Sequence, residues 1–83
     1  MEKISEELIC SELLLFVQSS ILDSSVSITP DKRFSDIGID SMSIIELVLF
    51  IERKFEVAIS EKDLTAENLK SIQTLAECTF RYL

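Results

Sequence analysis

Little in this chain could do chemistry, and most of it gathers at one point. Asp40 and Ser41 stand just after Gly38 and open the run SMSIIELVLFIERKF. An acid and a serine at the head of a helical run have two uses. Either oxygen can cap the helix, taking one of the N–H groups that the first turn leaves unpaired. The serine hydroxyl can also carry an anionic group, because unpaired N–H groups and the helix dipole favour negative charge at that end. Nothing nearby in the sequence would activate that hydroxyl as a nucleophile, since the chain contains no histidine, the commonest general base. Ser41 therefore reads as a cap or as the substrate of another enzyme.

The absence of histidine also removes the commonest metal ligand, and no Cys or carboxylate cluster or Gly-rich phosphate loop replaces it. An enzyme is rejected and no metal site is assigned. Cys10 and Cys78 lie far apart without CxxC pairing. They read most simply as free, partly buried thiols in a reducing cytosol, with a disulfide between the two ends as the alternative.

The elements that must position Asp40 and Ser41 follow from hydrophobic spacing. Helix I is predicted over Glu2 to Ser20, with Ile4, Leu8, Leu15 and Leu22 in one row and Ile9, Leu13, Phe16 and Val17 in another. So wide a stripe implies cover on more than one side, or an apolar lining. Asp23 to Asp40 has no helical period; with Pro30 and Gly38 as breakers it reads as a long connection, anchored by Ile28, Phe34, Ile37 and Ile39. Helix II is predicted over Ser41 to Phe55. Ile44, Leu47, Val48, Ile51 and Phe55 form its core stripe, while Met42, Ile45 and Leu49 lie away from it beside Glu46, Glu52 and Arg53. An apolar strip flanked by charge on an exposed face suits a partner, although other elements could equally cover it. Ser60 and Asp63 resemble a capping box opening a short helix III to Leu64. Helix IV is predicted from Ser71, with Ile72, Leu75, Ala76, Thr79 and Leu83 on one face and Phe80 beside them.

The expected fold is all-α: a four-helix bundle of three long helices and one short one, with a long loop between the first two. At 83 residues, with one Gly and one Pro, 47% hydrophobic and 28% charged residues, it makes a single domain spanning 1–83. A net charge of −7 repels phosphate backbones and anionic lipid, so neither nucleic acid nor membrane is an expected partner. The acidic N-terminus lacks the basic region of a signal peptide, and the apolar run from Leu8 to Leu22 is interrupted by Glu12 and Gln18 and too short to span a bilayer. A cytoplasmic protein is expected.

With these elements in place, GIDSMSIIELVLFIERKFEVAI resembles the acyl carrier protein family. The family signature is Gly-x-Asp-Ser-Leu/Met, then a Val/Ile-Glu-Leu helix with Glu-x-x-Phe near its end. Gly38, Asp40, Ser41, Met42, Glu46, Leu47, Glu52 and Phe55 match it. Length, acidity, helix order and the long first loop extend the likeness across the chain. The resemblance implies an acyl-carrier-like bundle in which Ser41 receives 4′-phosphopantetheine from coenzyme A through a phosphopantetheinyl transferase. The arm's thiol would carry acyl or aminoacyl thioesters. Asp40 would help the transferase and its metal approach Ser41, while Met42, Ile45, Glu46, Leu49, Glu52 and Arg53 would dock partners. Those partners would be a loading enzyme and ketosynthase, condensation or acyltransferase-type enzymes.

Departures from fatty-acid-synthesis carriers favour a specialised pathway: polyketide, nonribosomal peptide or modified fatty acid. Ser43 stands where those carriers usually have an acid, Arg53-Lys54 replaces an acidic run, Phe50 fills a usually smaller position, and DLTAENLKSIQTLAE is longer than usual. The competing readings are a housekeeping fatty-acid carrier and an unmodified acidic helical interaction module in which Ser41 is only a cap. If Ser41 is the cap, its replacement by Ala costs about 1 kcal/mol. A monomer is expected, with an exposed Leu49–Phe50 pair as the one feature that could promote self-association.

Overall fold

The computed structural model describes residues 4–21 and 28–83. The placement of Leu22 in the helix I row, and of the helix start at Glu2, falls outside them. The described residues form three α-helices, α1 (Glu6–Phe16), α2 (Ser41–Phe55) and α3 (Ile72–Phe80), with short helical turns in the segments between them. They correspond to predicted helices I, II and IV. Predicted helix III is a single 3-10 turn, Glu61–Asp63.

Helix α1 begins later than its hydrophobic spacing suggests, because Ser5 is extended and its Oγ accepts the Leu8 N–H at 3.1 Å. Glu6 and Glu7 then complement the dipole in the first turn. After Phe16 the backbone widens into a π-helical turn, Val17–Ile21. Only one of the two expected apolar rows is core. Ile9, Leu13 and Val17 are fully buried, whereas Leu8 and Leu15 face outward. The reason is that α1 packs chiefly on α3 and only touches α2, so one side is covered.

From residue 28 onward the connection before α2 has more local structure than its spacing predicts. It contains a 3-10 turn, Phe34–Ile37, ended by Gly38 in the left-handed region at φ 79°. Nothing lies within 4 Å of a Cβ built at Gly38, so conformation rather than space selects glycine there. Ile28, Phe34 and Ile39 are buried as expected, and Ile37 is half-buried. Two backbone hydrogen bonds stitch this connection to the head of α3. Phe34 N–H donates to Lys70 O at 2.9 Å, within an isolated antiparallel bridge that pairs Arg33 with Ser71, and Gln73 N–H donates to Pro30 O at 2.9 Å.

Helix α2 buries Leu47, Val48, Ile51 and Phe55 and half-buries Ile44, as its 3.6-residue period requires. It stops because Glu56 turns left-handed, φ 53°, and donates its N–H to Glu52 O. A non-glycine residue in that conformation is strained. Glu56→Gly is expected to raise the unfolding free energy by about 0.5–1 kcal/mol, read from the urea midpoint.

The capping box expected at Ser60 does not form. Asp63 N–H donates to the Ser60 carbonyl at 2.9 Å, and the Ser60 hydroxyl caps nothing. The turn is held instead from the C-terminus. Ser60 N–H donates to Tyr82 Oη at 3.1 Å, and that hydroxyl donates to Asp63 Oδ2. A reciprocal cap does form at α3, where Thr74 N–H donates to Ser71 Oγ at 3.2 Å and Ser71 N–H to Thr74 Oγ1 at 3.0 Å. Ile72, Leu75, Ala76 and Thr79 are buried as expected, together with Cys78. Leu83 is exposed and lies beyond the end of the helix. Both cysteines are free, Cys10 half-buried and Cys78 buried. Burial pushes both thiols above their ordinary value, which lowers the share of the nucleophilic thiolate.

Candidate functional site: the head and outer face of α2

Asp40, not Ser41, caps α2. Asp40 is extended at φ −87° and ψ 175°, and its Oδ1 accepts the Ser43 N–H at 2.9 Å. That N–H, followed by the Ser43 hydroxyl, holds the Asp40 carboxyl below its ordinary value. Ser41 is the first helical residue and is exposed. Among the described residues no hydrogen bond engages its hydroxyl. The sequence left a serine that was either cap or handle; the cap is taken by its neighbour.

The preceding turn explains the exposure. Ile39 N–H donates to Phe34 O at 2.9 Å, which sends the Ile39 side chain into the core and brings Asp40 and Ser41 to the surface. The free hydroxyl, its exposure and the positive end of a fifteen-residue helix together fit a phosphodiester at Ser41.

Removing the Asp40 carboxylate has a predictable pH signature. A carboxyl whose folded value is depressed stabilises the protein above its unfolded value, near about 3.9, and loses that contribution as pH falls through the folded value. Asp40→Ala is therefore expected to lower Tm at pH 7 by roughly 3–6 °C, as loss of a helix cap does in a domain of this size. The gap between variant and wild type should close as melts are repeated below about pH 4.

Down the outer face of α2 the expected strip is open: Met42, Ile45 and Leu49 are 69%, 53% and 49% exposed, and Glu46 and Arg53 are exposed beside them. Glu52 is half-buried, and its Oε2 accepts the Ile59 N–H at 3.1 Å, tying the segment after α2 back to the helix. The expected exposed Leu49–Phe50 pair is not found. Phe50 is half-buried and stacks on Phe16, with ring centroids 4.4 Å apart. Lys54 reaches Glu12 at 4.0 Å, so of Arg53-Lys54 only Arg53 remains unpaired on this face among the described residues. Leu49 and Arg53 edge a small depression over the stacked rings, about 210 Å³. On the other side of the strip, Ile45, Val48, Leu64 and Leu69 line an apolar groove of about 360 Å³.

Sequence reasoning missed Arg33, Phe34 and Lys70 as neighbours of this site. Arg33 and Lys70 lie thirty-seven positions apart in the chain, and only the backbone links between the connection and α3 bring them together.

Residues 12–79 match the family model described as the phosphopantetheine attachment site. Aminoacyl carrier protein 2 of Bradyrhizobium diazoefficiens is 30% identical over 67 residues, which is 78% of this chain and 75% of that protein. The acyl carrier protein of Exiguobacterium sibiricum is 41% identical over 66 residues, 74% of this chain and 81% of that protein. Among solved structures, the crystal structure of Bradyrhizobium japonicum glycine:[carrier protein] ligase complexed with glycylated carrier protein contains a chain of similar fold. The TM-score is 0.70 at 26% identity, over 88% of this chain and 96% of that one. The helical fold and the matched region define a carrier of covalently attached 4′-phosphopantetheine. The chain belongs to the acyl carrier protein family, whose members carry cargo and are not themselves catalysts. Among the described residues, no helix is long and apolar enough to cross a membrane.

Proposed function

We propose that the chain is a single carrier domain, 1–83, with 4′-phosphopantetheine attached at Ser41, serving a specialised cytoplasmic pathway. The observation that carries this reading is the free, exposed Ser41 hydroxyl at the head of α2, with Asp40 taking over the cap. A transferase would join Ser41 Oγ to the phosphorus of coenzyme A's pantetheine arm. The serine proton is lost and the nucleotide part of coenzyme A leaves. Once attached, the arm supplies a thiol on which an acyl or aminoacyl group is held as a thioester. The contribution of this chain is then positional: it presents the cargo at high local concentration to whichever enzyme docks.

Met42, Ile45 and Leu49, with Glu46 and Arg53 alongside, form the docking strip for the transferase, a loading ligase and enzymes that use the cargo. Glu52 contributes indirectly, by fixing the segment that borders the strip. Relatives named as aminoacyl carriers, and the glycylated carrier in the ligase complex, support a loading partner of the ligase type. A housekeeping fatty-acid carrier is the second reading, favoured by the 41% identity to the Exiguobacterium sibiricum acyl carrier protein.

The attachment point can be read directly. Trypsin releases Phe34–Arg53, which contains Ser35, Ser41 and Ser43. Fragment ions of the modified peptide are expected to place the arm on Ser41. An arm on Ser35 or Ser43 would overturn the assignment.

A further inference from the structure

We infer that the groove beside Ser41 receives cargo whose far end is a carboxylate, a dicarboxylic acyl or acidic aminoacyl group, gripped by Arg33 and Lys70. This inference rests on Ser41 as the attachment point. The groove encloses about 380 Å³; Phe34, Ile39, Ile44 and Leu69 supply apolar walls and Arg33 and Lys70 the cations. Ser41 does not line it, but chain neighbours on both sides do: Ile39 lies two residues before Ser41, and Ile44 lies three after it, one turn along α2.

Backbone pairing brings the two cations near one another. Phe34 N–H donates to Lys70 O at 2.9 Å within the antiparallel bridge that pairs Arg33 with Ser71, so the segments that bear the two charges run side by side. The chain has fifteen acids and only eight bases, and two of those bases meet on one groove. They are poorly neutralised there. Lys70 has Glu67 at 3.5 Å, a surface pair whose Glu67 side chain is 83% exposed, and such pairs contribute little. Among the described residues no carboxylate comes within ion-pairing distance of Arg33, Asp36 in the adjoining turn included.

A groove with apolar walls and a cationic end suits methylenes tipped by a carboxylate. The walls take the chain, and the guanidinium and ammonium take the charge as strong, charge-assisted hydrogen bonds. A neutral acyl chain would cover the two cations without replacing their water, which disfavours it. A terminal ammonium would be repelled.

The test loads the full chain with amide-linked analogues of adipoyl- and hexanoyl-coenzyme A, six-carbon cargoes that differ at the far end, using a broad-specificity transferase. Intact mass is read first, then ¹⁵N amide shifts. No uptake of either arm would count against Ser41 as the attachment point, apart from anything about the groove. With uptake, the adipoyl protein should show larger displacements than the hexanoyl protein at Arg33, Phe34, Leu69 and Lys70. High salt should shrink that difference, and it should vanish in the double variant Arg33→Gln, Lys70→Gln. Equal displacements for the two cargoes, displacements confined to the residues around Ser41, or a difference that survives in the double variant would each overturn the inference.

Discussion

Ser41→Ala is expected to fold as the wild type does and to take up no phosphopantetheine. The stability half of this result follows from the cap. Asp40 Oδ1 holds the Ser43 N–H, so the Ser41 hydroxyl contributes nothing to the helix that the methyl of alanine would forfeit. The site is exposed, and alanine is the better helix former. The change in unfolding free energy should stay within about 0.5 kcal/mol of zero, as for surface substitutions that break no specific contact. A serine that itself capped α2 would cost more, about 1 kcal/mol. Urea melts followed by circular dichroism separate the two. The uptake half is all-or-none because Ser41 is the hydroxyl brought to the surface at the positive end of α2. Ser43, one turn's fraction further on, is half-buried and engaged with Asp40. A Ser41→Ala protein that still gained the arm would show that another hydroxyl carries it.

Phe34→Ala is expected to be the most damaging single substitution among the residues that frame the site. Phe34 is 2% exposed and packs in the same core as Leu47, Ile51 and Leu75. Deleting a buried phenylalanine costs about 3–5 kcal/mol, the lost transfer energy plus the cavity left behind. A domain this small has only about 5 kcal/mol to lose, so the variant should be partly unfolded at 37 °C. The effect should also be local. The Phe34 carbonyl accepts the Ile39 N–H, and its own N–H reaches Lys70, so the turn that brings Asp40 and Ser41 to the surface depends on this anchor. Under conditions where the variant still folds, amides of residues 34–40 should exchange faster than those of α3. A loss below about 1 kcal/mol would mean that the site collapses around the smaller side chain far better than buried aromatics usually allow.

How much of this was legible in the sequence can be judged from particular residues. Helix α2 was plain because its signals agree: five apolar positions in strict 3.6-residue period, an acid at the cap, and a loss of that period in the stretch after Phe55. The open strip at Met42, Ile45 and Leu49 followed from the same geometry. The register of the cap was harder, since Asp40 and Ser41 are both good capping residues and spacing alone does not choose between them. The 3-10 turn at Phe34–Ile37 gave no periodic signal, because one short turn presents too few residues to repeat. Ser60 was misread as a cap because the local motif is sound; Tyr82, twenty-two positions away, supplies the partner instead. Leu8 and Leu15 were read with the core because periodicity reports which face is apolar, not how many neighbours are available to cover it. The meeting of Arg33 with Lys70 depends wholly on tertiary pairing and leaves no local trace.

The central claim is that this chain is a carrier whose arm sits on Ser41. Its most direct test is the intact mass of wild type and Ser41→Ala before and after incubation with coenzyme A, Mg²⁺ and a broad-specificity phosphopantetheinyl transferase. The account predicts one phosphopantetheine on the wild type, gained in the reaction or already present as purified, and none on the variant. A folded wild type that begins and ends unmodified would contradict it and leave Ser41 as an idle surface hydroxyl beside the Asp40 cap.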